Sequence, residues 1–189
     1  MITDFAKVLL EESEIHRRLD VLALEITRDY EGKPLTVVAI LNGSFIFMAD
    51  LLRRIPLDLH VESLSVSSYH GTESSGRIDF RQTRFADLSG RHVLVLDDIL
   101  DTGRTLHAVT ARLADGTGAA SIRTCVLLQK NVARVCDIEA DYVGFDIPDE
   151  FVVGYGLDYN ERYRTLPFIG VLNDDAIHRG GLSSDFSND

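Results

Sequence analysis

Three carboxylate side chains follow one apolar strand in the stretch VLVLDDILDTGRTL, residues 93–106. Asp97 and Asp98 stand side by side at the end of the strand, and Asp101 comes three residues later. Two neighbouring carboxylates can bind sugar hydroxyls, or a magnesium ion that bridges hydroxyls and a diphosphate. The plainer interpretation is that one of them caps the next helix while the other is solvated. Asp101 is placed to be either a helix cap or a general base that faces a ligand.

The turn that follows, DTGRT (residues 101–105), is suited to hold an anion. It lies where a strand gives way to a helix, so its backbone N–H groups are unpaired and the helix dipole adds partial positive charge. Gly103 lets the backbone approach a ligand closely, and Thr102 and Thr105 add hydroxyl donors. The motifs GxxxxGK[ST] and GxGxxG are absent, so the turn is neither a P-loop nor a dinucleotide-binding fingerprint. Phosphate, sugar hydroxyls and a metal-bound diphosphate together describe a phosphorylated ribose that carries pyrophosphate.

Strands that alternate with helices must position these groups. Helical spacing of apolar residues is found over residues 12–30, 45–55 and 106–113, and strand patterns are found over residues 35–41, 57–69, 92–98, 122–130 and 141–147. This alternation predicts an α/β fold with a parallel sheet. Ligands of such folds gather at the carboxyl ends of the strands. We therefore expect Asn42-Gly43, Asp97-Asp98 and Gln129-Lys130 on one rim of the sheet.

Length, composition and charge limit the possible functions. The chain has 189 residues, 45% of them apolar and 26% charged, which predicts a single globular domain. The net charge of −11 disfavours a duplex nucleic acid as partner, because such partners need a basic surface. Cys125 and Cys136 stand far from a CxxC spacing and fit the reduced thiols of a cytoplasmic protein. No apolar run is long enough for a membrane span, and the N-terminal residues do not resemble a signal peptide.

Residues 93–106 resemble the phosphoribosyl-diphosphate signature of the type I phosphoribosyltransferases. Four further segments resemble the hypoxanthine-guanine (6-oxopurine) branch of that family: LNGSFIFMADLLRRI, SSYHGTESSG, LLQK and ADYVGFDIPDEFVVGYGLDYNERYRTLPFIGVL. The resemblance runs from about Leu35 to Leu172. It implies the type I phosphoribosyltransferase fold, with a mainly parallel central sheet flanked by helices, a small hood built from the chain termini and a mobile lid loop. Within one domain, residues 1–189, we expect a core of about 35–150, a lid loop of about 68–85, a hood segment of about 151–172 and a frayed polar tail, 173–189.

The resemblance implies a reaction and a role for each acidic residue. Members of the family transfer ribose 5-phosphate from phosphoribosyl diphosphate to N9 of hypoxanthine or guanine and release pyrophosphate, with Mg²⁺ as cofactor. Asp97 and Asp98 would contact the ribose hydroxyls directly or through the metal, and Asp101 would be the general base at purine N7. The family usually has Glu at the first position, so Asp97 is one methylene shorter. The 5′-phosphate loop would consist of Thr102, Gly103, Arg104 and Thr105.

The purine-binding residues come from the second half of the chain. By resemblance, Lys130 donates to the exocyclic O6 of the purine, which favours a 6-oxo group over the amino group of adenine. Phe151 would stack on the ring, and the backbone of Val152 would read its edge. Asp158 would reach a second magnesium ion through water. Without the family, Lys130 would be taken as a solvated side chain and Phe151 as a core residue.

Three further segments complete the implied site. Asn42-Gly43 matches the short pyrophosphate loop, where the family often has Lys or Arg at the first position and where relatives can have a cis peptide bond. Arg164 matches a pyrophosphate contact, although alone it would pass as part of a surface ion pair. Ser68 and Tyr69 match the start of the lid loop that closes over the reacting groups and excludes water.

Three functions remain open at this point. The first is salvage of hypoxanthine or guanine to IMP or GMP, with phosphoribosyl diphosphate as donor. The second is a phosphoribosyltransferase that prefers xanthine, because backbone groups that the sequence does not reveal can meet the 2-oxo group. The third is a phosphoribosyltransferase-like regulator that binds RNA, which the net charge disfavours. The resemblance also implies a homo-oligomer, dimer or tetramer, with the apolar face of residues 45–55 as a possible interface.

Overall fold

The computed structural model describes residues 4–68, 78–80 and 87–181. Its helices and strands follow one another in the order β1 (Phe5–Leu10), α1 (Glu12–Tyr30), β2 (Leu35–Leu41), α2 (Phe45–Leu52), β3 (Leu59–Ser68), β4 (Ile78–Phe80), β5 (His92–Leu100), α3 (Arg104–Ala114), β6 (Ser121–Lys130), β7 (Tyr142–Ile147), β8 (Val152–Val153), β9 (Ile169–Leu172) and α4 (Asp174–Gly181). No helix in these ranges is long and apolar enough to cross a membrane.

A six-stranded sheet forms the centre of the molecule, in the order β4-β3-β2-β5-β6-β7. Five neighbouring strands of this sheet are parallel to one another, namely β3, β2, β5, β6 and β7. The edge strand β4 pairs with β3 in the antiparallel direction. The central strands are buried on both faces, which explains the unbroken apolar runs at Val37–Ile40 and Val93–Leu96. The predicted parallel α/β sheet is therefore confirmed.

Helices cover the two faces of this sheet with separate cores. On one face, α1 and α2 pack over Val37 and Ala39 of β2, and the buried side of α1 is the predicted apolar stripe from Ile15 to Tyr30. On the other face, α3 packs over Val38 and Ile40. Because side chains of β2 alternate between the two cores, the strand is fixed in register and its end at Leu41 is fixed with it.

The hood is a three-stranded antiparallel sheet, β1-β9-β8, in which the N-terminal strand pairs with β9. This confirms a hood built from both ends of the chain. The hydroxyl of Tyr155 donates to Asp50 on α2, and Lys7 on β1 forms an ion pair with Glu150 at 2.9 Å. These contacts tie the hood to the core beside the carboxyl ends of the central strands.

Two expectations about irregular segments differ from the structure. The predicted frayed tail begins with the helix α4, which has two acidic residues in its first turn, where they complement the helix dipole. Ala176 on α4 is buried against the hood, so the helix gains a core that local composition does not reveal. Within the predicted lid loop, Ile78–Phe80 forms β4 on the edge of β3, whereas Tyr69 and most of the loop lie outside the described residues.

Candidate active site

A cavity of about 870 Å³ opens at the carboxyl ends of β2 and β5, with the hood as its opposite wall. Twelve of the sixteen predicted site residues line it: Asn42, Gly43, Asp97, Asp98, Asp101, Thr102, Gly103, Arg104, Thr105, Phe151, Asp158 and Arg164. Lys130 is not in the lining, but its Nζ lies 3.7 Å from Oδ2 of Asp101 at the edge of the cavity. Val152 is buried in β8 behind Phe151, Ser68 ends β3, and Tyr69 lies outside the described residues.

The acidic pair sits deeper than the sequence suggested. Asp97 is only 5% exposed, and its Oδ1 accepts the backbone N–H of Asp98 at 3.1 Å. Burial raises the pKa of Asp97 well above its ordinary value, and the charge of Asp98 raises it further. Burial also raises the pKa of Asp98, against the lowering effect of the Ile99 N–H, which donates to its Oδ1 at 2.9 Å, and of Arg164. Two adjacent carboxyl groups whose pKa values are both raised favour sharing a proton.

These carboxylates fit a magnesium ion that is bound mainly through a ligand. Mg²⁺ is usually held by one or two protein carboxylates, several waters and substrate phosphates. The described residues contain no cluster of three or more His, Cys, Asp or Glu side chains that would hold a metal unaided. Asp97 and Asp98 on the strand end and Asp158 on the hood instead line one cavity from opposite sides. This donor set suits a metal that enters together with a diphosphate.

The anion turn has the geometry that its sequence predicts. Gly103 is the residue before α3, with φ of +85°, and its carbonyl accepts the first helical N–H from His107 at 2.9 Å. The N–H groups of the first turn of α3 therefore have no partner within the helix and are available to an anion. A Cβ on Gly103 would lie 2.7 Å from Cγ2 of Ile138, so both the backbone angle and the space require glycine.

Arg134 supports the backbone of this turn, a role that no sequence motif predicted. Its guanidinium donates to the carbonyl oxygens of Leu100 at 3.4 Å, of Lys130 at 3.2 Å and of Asp101. The next residue, Val135, donates its N–H to the Thr102 carbonyl at 3.0 Å. Arg134 thereby joins the carboxyl ends of β5 and β6. A side chain that bonds only to backbone carbonyls leaves no pattern in a sequence.

The segment Asn42-Gly43, which is the predicted pyrophosphate loop, lies between the acidic pair and the hood. The peptide bond between Leu41 and Asn42 is cis, as the family resemblance allowed. A Cβ on Gly43 would lie 1.7 Å from Oδ2 of Asp98, and a Cβ on Gly156 of the hood would lie 2.0 Å from the Gly43 carbonyl oxygen. The two glycines therefore allow hood, loop and acidic pair to stack directly on one another.

On the hood side, two residues with separately predicted roles contact each other. Arg164 forms an ion pair with Asp158 at 2.9 Å, and its Nη1 donates to the Gly156 carbonyl at 2.9 Å. Glu161 accepts from the same guanidinium at 3.2 Å, and both Glu161 and Asn160 adopt positive φ angles. This hairpin presents one positive and two negative side chains to the cavity.

Phe151 is exposed rather than part of the core, with 45% of its surface accessible. Its ring meets Tyr159 edge to face, with ring centres 5.3 Å apart, and both residues line the cavity. Ile99, which follows the acidic pair, lines the same cavity. An aromatic ring and an aliphatic side chain provide the apolar surface that a planar heterocycle needs. Ile99 and Tyr159 were missed because apolar residues in strands and hoods usually belong to cores.

Comparison with known proteins supports the assignment of the fold. The model of the phosphoribosyl transferase domain family matches residues 7–160. Hypoxanthine-guanine phosphoribosyltransferases of Streptococcus pneumoniae and Staphylococcus aureus are 47% identical, over 92% and 91% of this chain and 96% of theirs. The crystal structure of a hypoxanthine phosphoribosyltransferase from Staphylococcus aureus superposes with a TM-score of 0.88 at 44% identity, covering 100% of this chain and 97% of that one. A Trypanosoma cruzi hypoxanthine phosphoribosyl transferase gives a TM-score of 0.88 at 35% identity, covering 95% and 97%.

The buried acidic pair leads to a prediction about stability and pH. A carboxyl whose folded pKa is raised stabilises the fold fully below its unfolded pKa, about 3.9, and this contribution is lost as pH rises through the folded value. Asp97→Asn keeps the shape but never ionises, so without metal its Tm should exceed that of the wild type by a few degrees at pH 8. The difference should vanish near pH 4. Thermal melts in the presence of a chelator measure both.

Asp87→Asn is the matched control for this measurement. Asp87 is exposed, and hydrogen bonds from Ser89 lower its pKa, so its replacement should bring no gain at pH 8. Equal melting temperatures for the wild type and Asp97→Asn across the whole pH range would mean that ionisation of the Asp97 carboxyl group does not destabilise the fold.

The anion turn leads to a prediction about phosphate binding. Gly103→Ala should weaken the binding of ribose 5-phosphate by at least about tenfold, because the methyl group strains the left-handed backbone and pushes the turn off Ile138. Gly90→Ala is the control, since Gly90 has φ of +72° but open space around it and lies outside the cavity. Calorimetric titration should show a loss only for Gly103→Ala, and equal affinities for both variants would contradict the assigned role of the turn.

Proposed function

This chain belongs to the phosphoribosyl transferase family and to its hypoxanthine-guanine branch, and from that premise we propose the reaction that it catalyses. The proposed reaction transfers the 5-phosphoribosyl group of phosphoribosyl diphosphate to N9 of hypoxanthine or guanine, giving IMP or GMP and pyrophosphate in purine salvage. The single observation that carries the proposal is one cavity that contains an anion turn, a buried acidic pair and an exposed aromatic ring, with a lysine at its edge.

Each part of the substrate pair has a place in this cavity. The 5′-phosphate binds the N–H groups and hydroxyls of residues 102–105, and the ribose hydroxyls face Asp97 and Asp98. The purine lies against Phe151 and Ile99, where the backbone of Val152 reads its edge. The Lys130 ammonium donates a hydrogen bond to O6 of the purine. Adenine has an amino group at this position, which is itself a donor and cannot accept that hydrogen bond.

Asp101 is the proposed base. As N9 of the purine forms its bond to C1′ of the ribose, the bond from C1′ to the pyrophosphate oxygen breaks, and Asp101 accepts the proton of N7. The sugar passes through a state that resembles an oxocarbenium ion, so removal of the purine proton stabilises the transition state more than the ground state. The carboxylate is half-exposed at the cavity mouth, with room for a purine beside it.

We propose Mg²⁺ as the cofactor: Asp97 and Asp98 would hold one ion at the ribose hydroxyls, and Asp158 would reach a second ion through water. When bound, the metal neutralises negative charge on the diphosphate and on the leaving pyrophosphate. It would also remove the penalty of ionising the buried pair. Backbone groups of Asn42 and Gly43, together with Arg164, contact the pyrophosphate, and for this contact Arg164 must exchange Asp158 and Glu161 for phosphate oxygens.

Partners beyond the substrates follow from the family. We propose a homo-oligomer, and one of the solved relatives comes from work on the role of the C-terminal region of the Trypanosoma cruzi enzyme in oligomeric state and activity. We propose that residues 68–85, beginning with Ser68 and Tyr69, close over the bound substrates.

We place the reaction in the cytoplasm, because phosphoribosyl diphosphate and the nucleotide products are multiply charged and cannot cross a bilayer unaided.

A base-by-base assay tests the proposed activity. With Mg²⁺ and phosphoribosyl diphosphate, hypoxanthine and guanine should each yield a nucleotide, xanthine far less and adenine none, and a chelator should stop the reaction. Chromatography of the products measures all of these. No product from hypoxanthine or guanine would refute the proposal, and a dominant product from xanthine would favour the xanthine-specific alternative. Tight, steeply salt-dependent binding of RNA without any turnover would instead indicate a regulator.

Replacement of the proposed base should affect turnover rather than binding. Asp101→Asn should lower kcat by about a hundredfold, within the range expected for loss of a general base, while KM for hypoxanthine stays within about threefold. Asp115→Asn, at the exposed end of α3, is the control and should retain full turnover. Steady-state kinetics on both variants decide the question, and an unchanged kcat for Asp101→Asn would remove Asp101 from the role of base.

A further inference from the structure

Asp149 lies beside Lys130 because of the register of two parallel strands. In the pairing of β6 with β7, Lys130 stands opposite Ile147, the last residue of β7. The chain then bends at Asp149, where the N–H of Glu150 donates to the Pro148 carbonyl at 2.9 Å, and the Asp149 carboxylate lies on the same rim as the Lys130 side chain. Oδ1 of Asp149 accepts a hydrogen bond from Lys130 Nζ at 3.0 Å. No role has been assigned to Asp149 by the sequence motifs or by the reaction proposed above.

The ammonium of Lys130 is held between two carboxylates at unequal distances. Oδ1 of Asp149 is in hydrogen-bond contact, whereas Oδ2 of Asp101 lies 3.7 Å away, beyond a normal hydrogen bond. The Lys130 side chain is 12% exposed, so its position is restricted by its surroundings. An ammonium has three donors, and with one of them on Asp149, a second can face a ligand while Asp101 stays unbound.

We propose that Asp149 is a positioning residue that sets the preference for a 6-oxo group. It holds the Lys130 ammonium off Asp101 and directs one N–H towards the purine O6. Without the Asp149 carboxylate, only Asp101 of this pair would be left beside Lys130, and the ammonium would form a direct ion pair with Asp101. The donor would then be withdrawn from O6, and the proposed base would be occupied by a direct ion pair. This inference rests on the proposed function, because O6 and the base role of Asp101 belong to that reaction.

Exposure decides which experiment can test this role. Asp149 has 67% of its side chain accessible, so its ion pair with Lys130 contributes little to folding stability. Its removal should leave the melting temperature almost unchanged. A surface ion pair without a positioning role would alter neither the affinity for one ligand over another nor the balance of KM and kcat. Selectivity between two ligands that differ only at position 6 is therefore the informative measurement.

The test compares inosine 5′-monophosphate with purine riboside 5′-monophosphate, which lacks the 6-oxo group. By calorimetry, Asp149→Asn should bind inosine 5′-monophosphate about tenfold more weakly than the wild type, since a charge-assisted hydrogen bond is lost. Its affinity for purine riboside 5′-monophosphate should stay within about twofold, because the phosphate and ribose contacts remain. In steady-state assays KM for hypoxanthine should rise and kcat should fall together.

Two further variants complete the design. Asp149→Glu retains the carboxylate and should recover most of the affinity for inosine 5′-monophosphate. Asp146→Asn is the matched control, because Asp146 is an exposed aspartate of β7 that accepts a hydrogen bond from Gln129, the neighbour of Lys130, at 2.9 Å. Its replacement should change neither affinity. Equal loss for both nucleotides in Asp149→Asn would show a general structural effect and overturn the inference.

Other outcomes also separate the inference from the proposed function. Unchanged or tighter binding of inosine 5′-monophosphate by Asp149→Asn would overturn the inference, since Asp149 would then be neutral or a competitor of the ligand. A wild type that binds neither nucleotide would refute the proposed function itself. A wild type that binds both with equal affinity would refute the O6 contact of Lys130, on which the inference depends.

Discussion

The site depends on two adjacent carboxyl groups, one buried and one partly buried, at the end of an apolar strand. Strand β5 must be apolar to lie at the centre of a parallel sheet, yet it ends in Asp97 and Asp98, whose pKa values burial raises. Positive charge must therefore arrive with the ligand or from nearby groups. The free N–H groups of α3 and the guanidinium of Arg164 provide part of it. The anion turn and the hood therefore both place positive charge close to the acidic pair.

Close backbone contacts then bring the separate parts together. Gly156 of the hood touches Gly43 of the pyrophosphate loop, and Gly43 touches Asp98, so three distant segments meet without intervening side chains. Arg134 performs the same task beneath the anion turn by bonding to carbonyls at the ends of β5 and β6. The glycines thus leave space for backbone segments to pack directly on the acidic pair, and one guanidinium holds the backbone of the anion turn. Both devices fix backbone rather than side chains, which leaves the cavity itself open to substrates.

The sequence allowed a correct prediction wherever local pattern and topology decide the structure. Alternating strands and helices predict the parallel sheet, and the rule that ligands gather at strand ends predicts that Asn42-Gly43 and Asp97-Asp98 lie on one rim, where they line the same cavity. Contacts between distant segments could not be predicted in this way. Arg134, Asp149 and the pairing of Arg164 with Asp158 depend on side chains that reach across elements, for which no spacing exists in the sequence. The helix α4 was missed because its stability comes from packing against the hood, whereas its composition is that of a tail.

Two cations of the site are already paired with carboxylates in the folded chain. Arg164 contacts Asp158 and Glu161, and Lys130 contacts Asp149. In a protein with a net charge of −11, such pairing fixes the positions of the cations within the folded chain itself. A diphosphate or a purine carbonyl then has to displace the carboxylate that already contacts the cation, or share the cation with that carboxylate. Binding is therefore an exchange of acceptors around fixed cations, which costs less reorganisation than ordering free side chains and favours ligands whose acceptors match those positions.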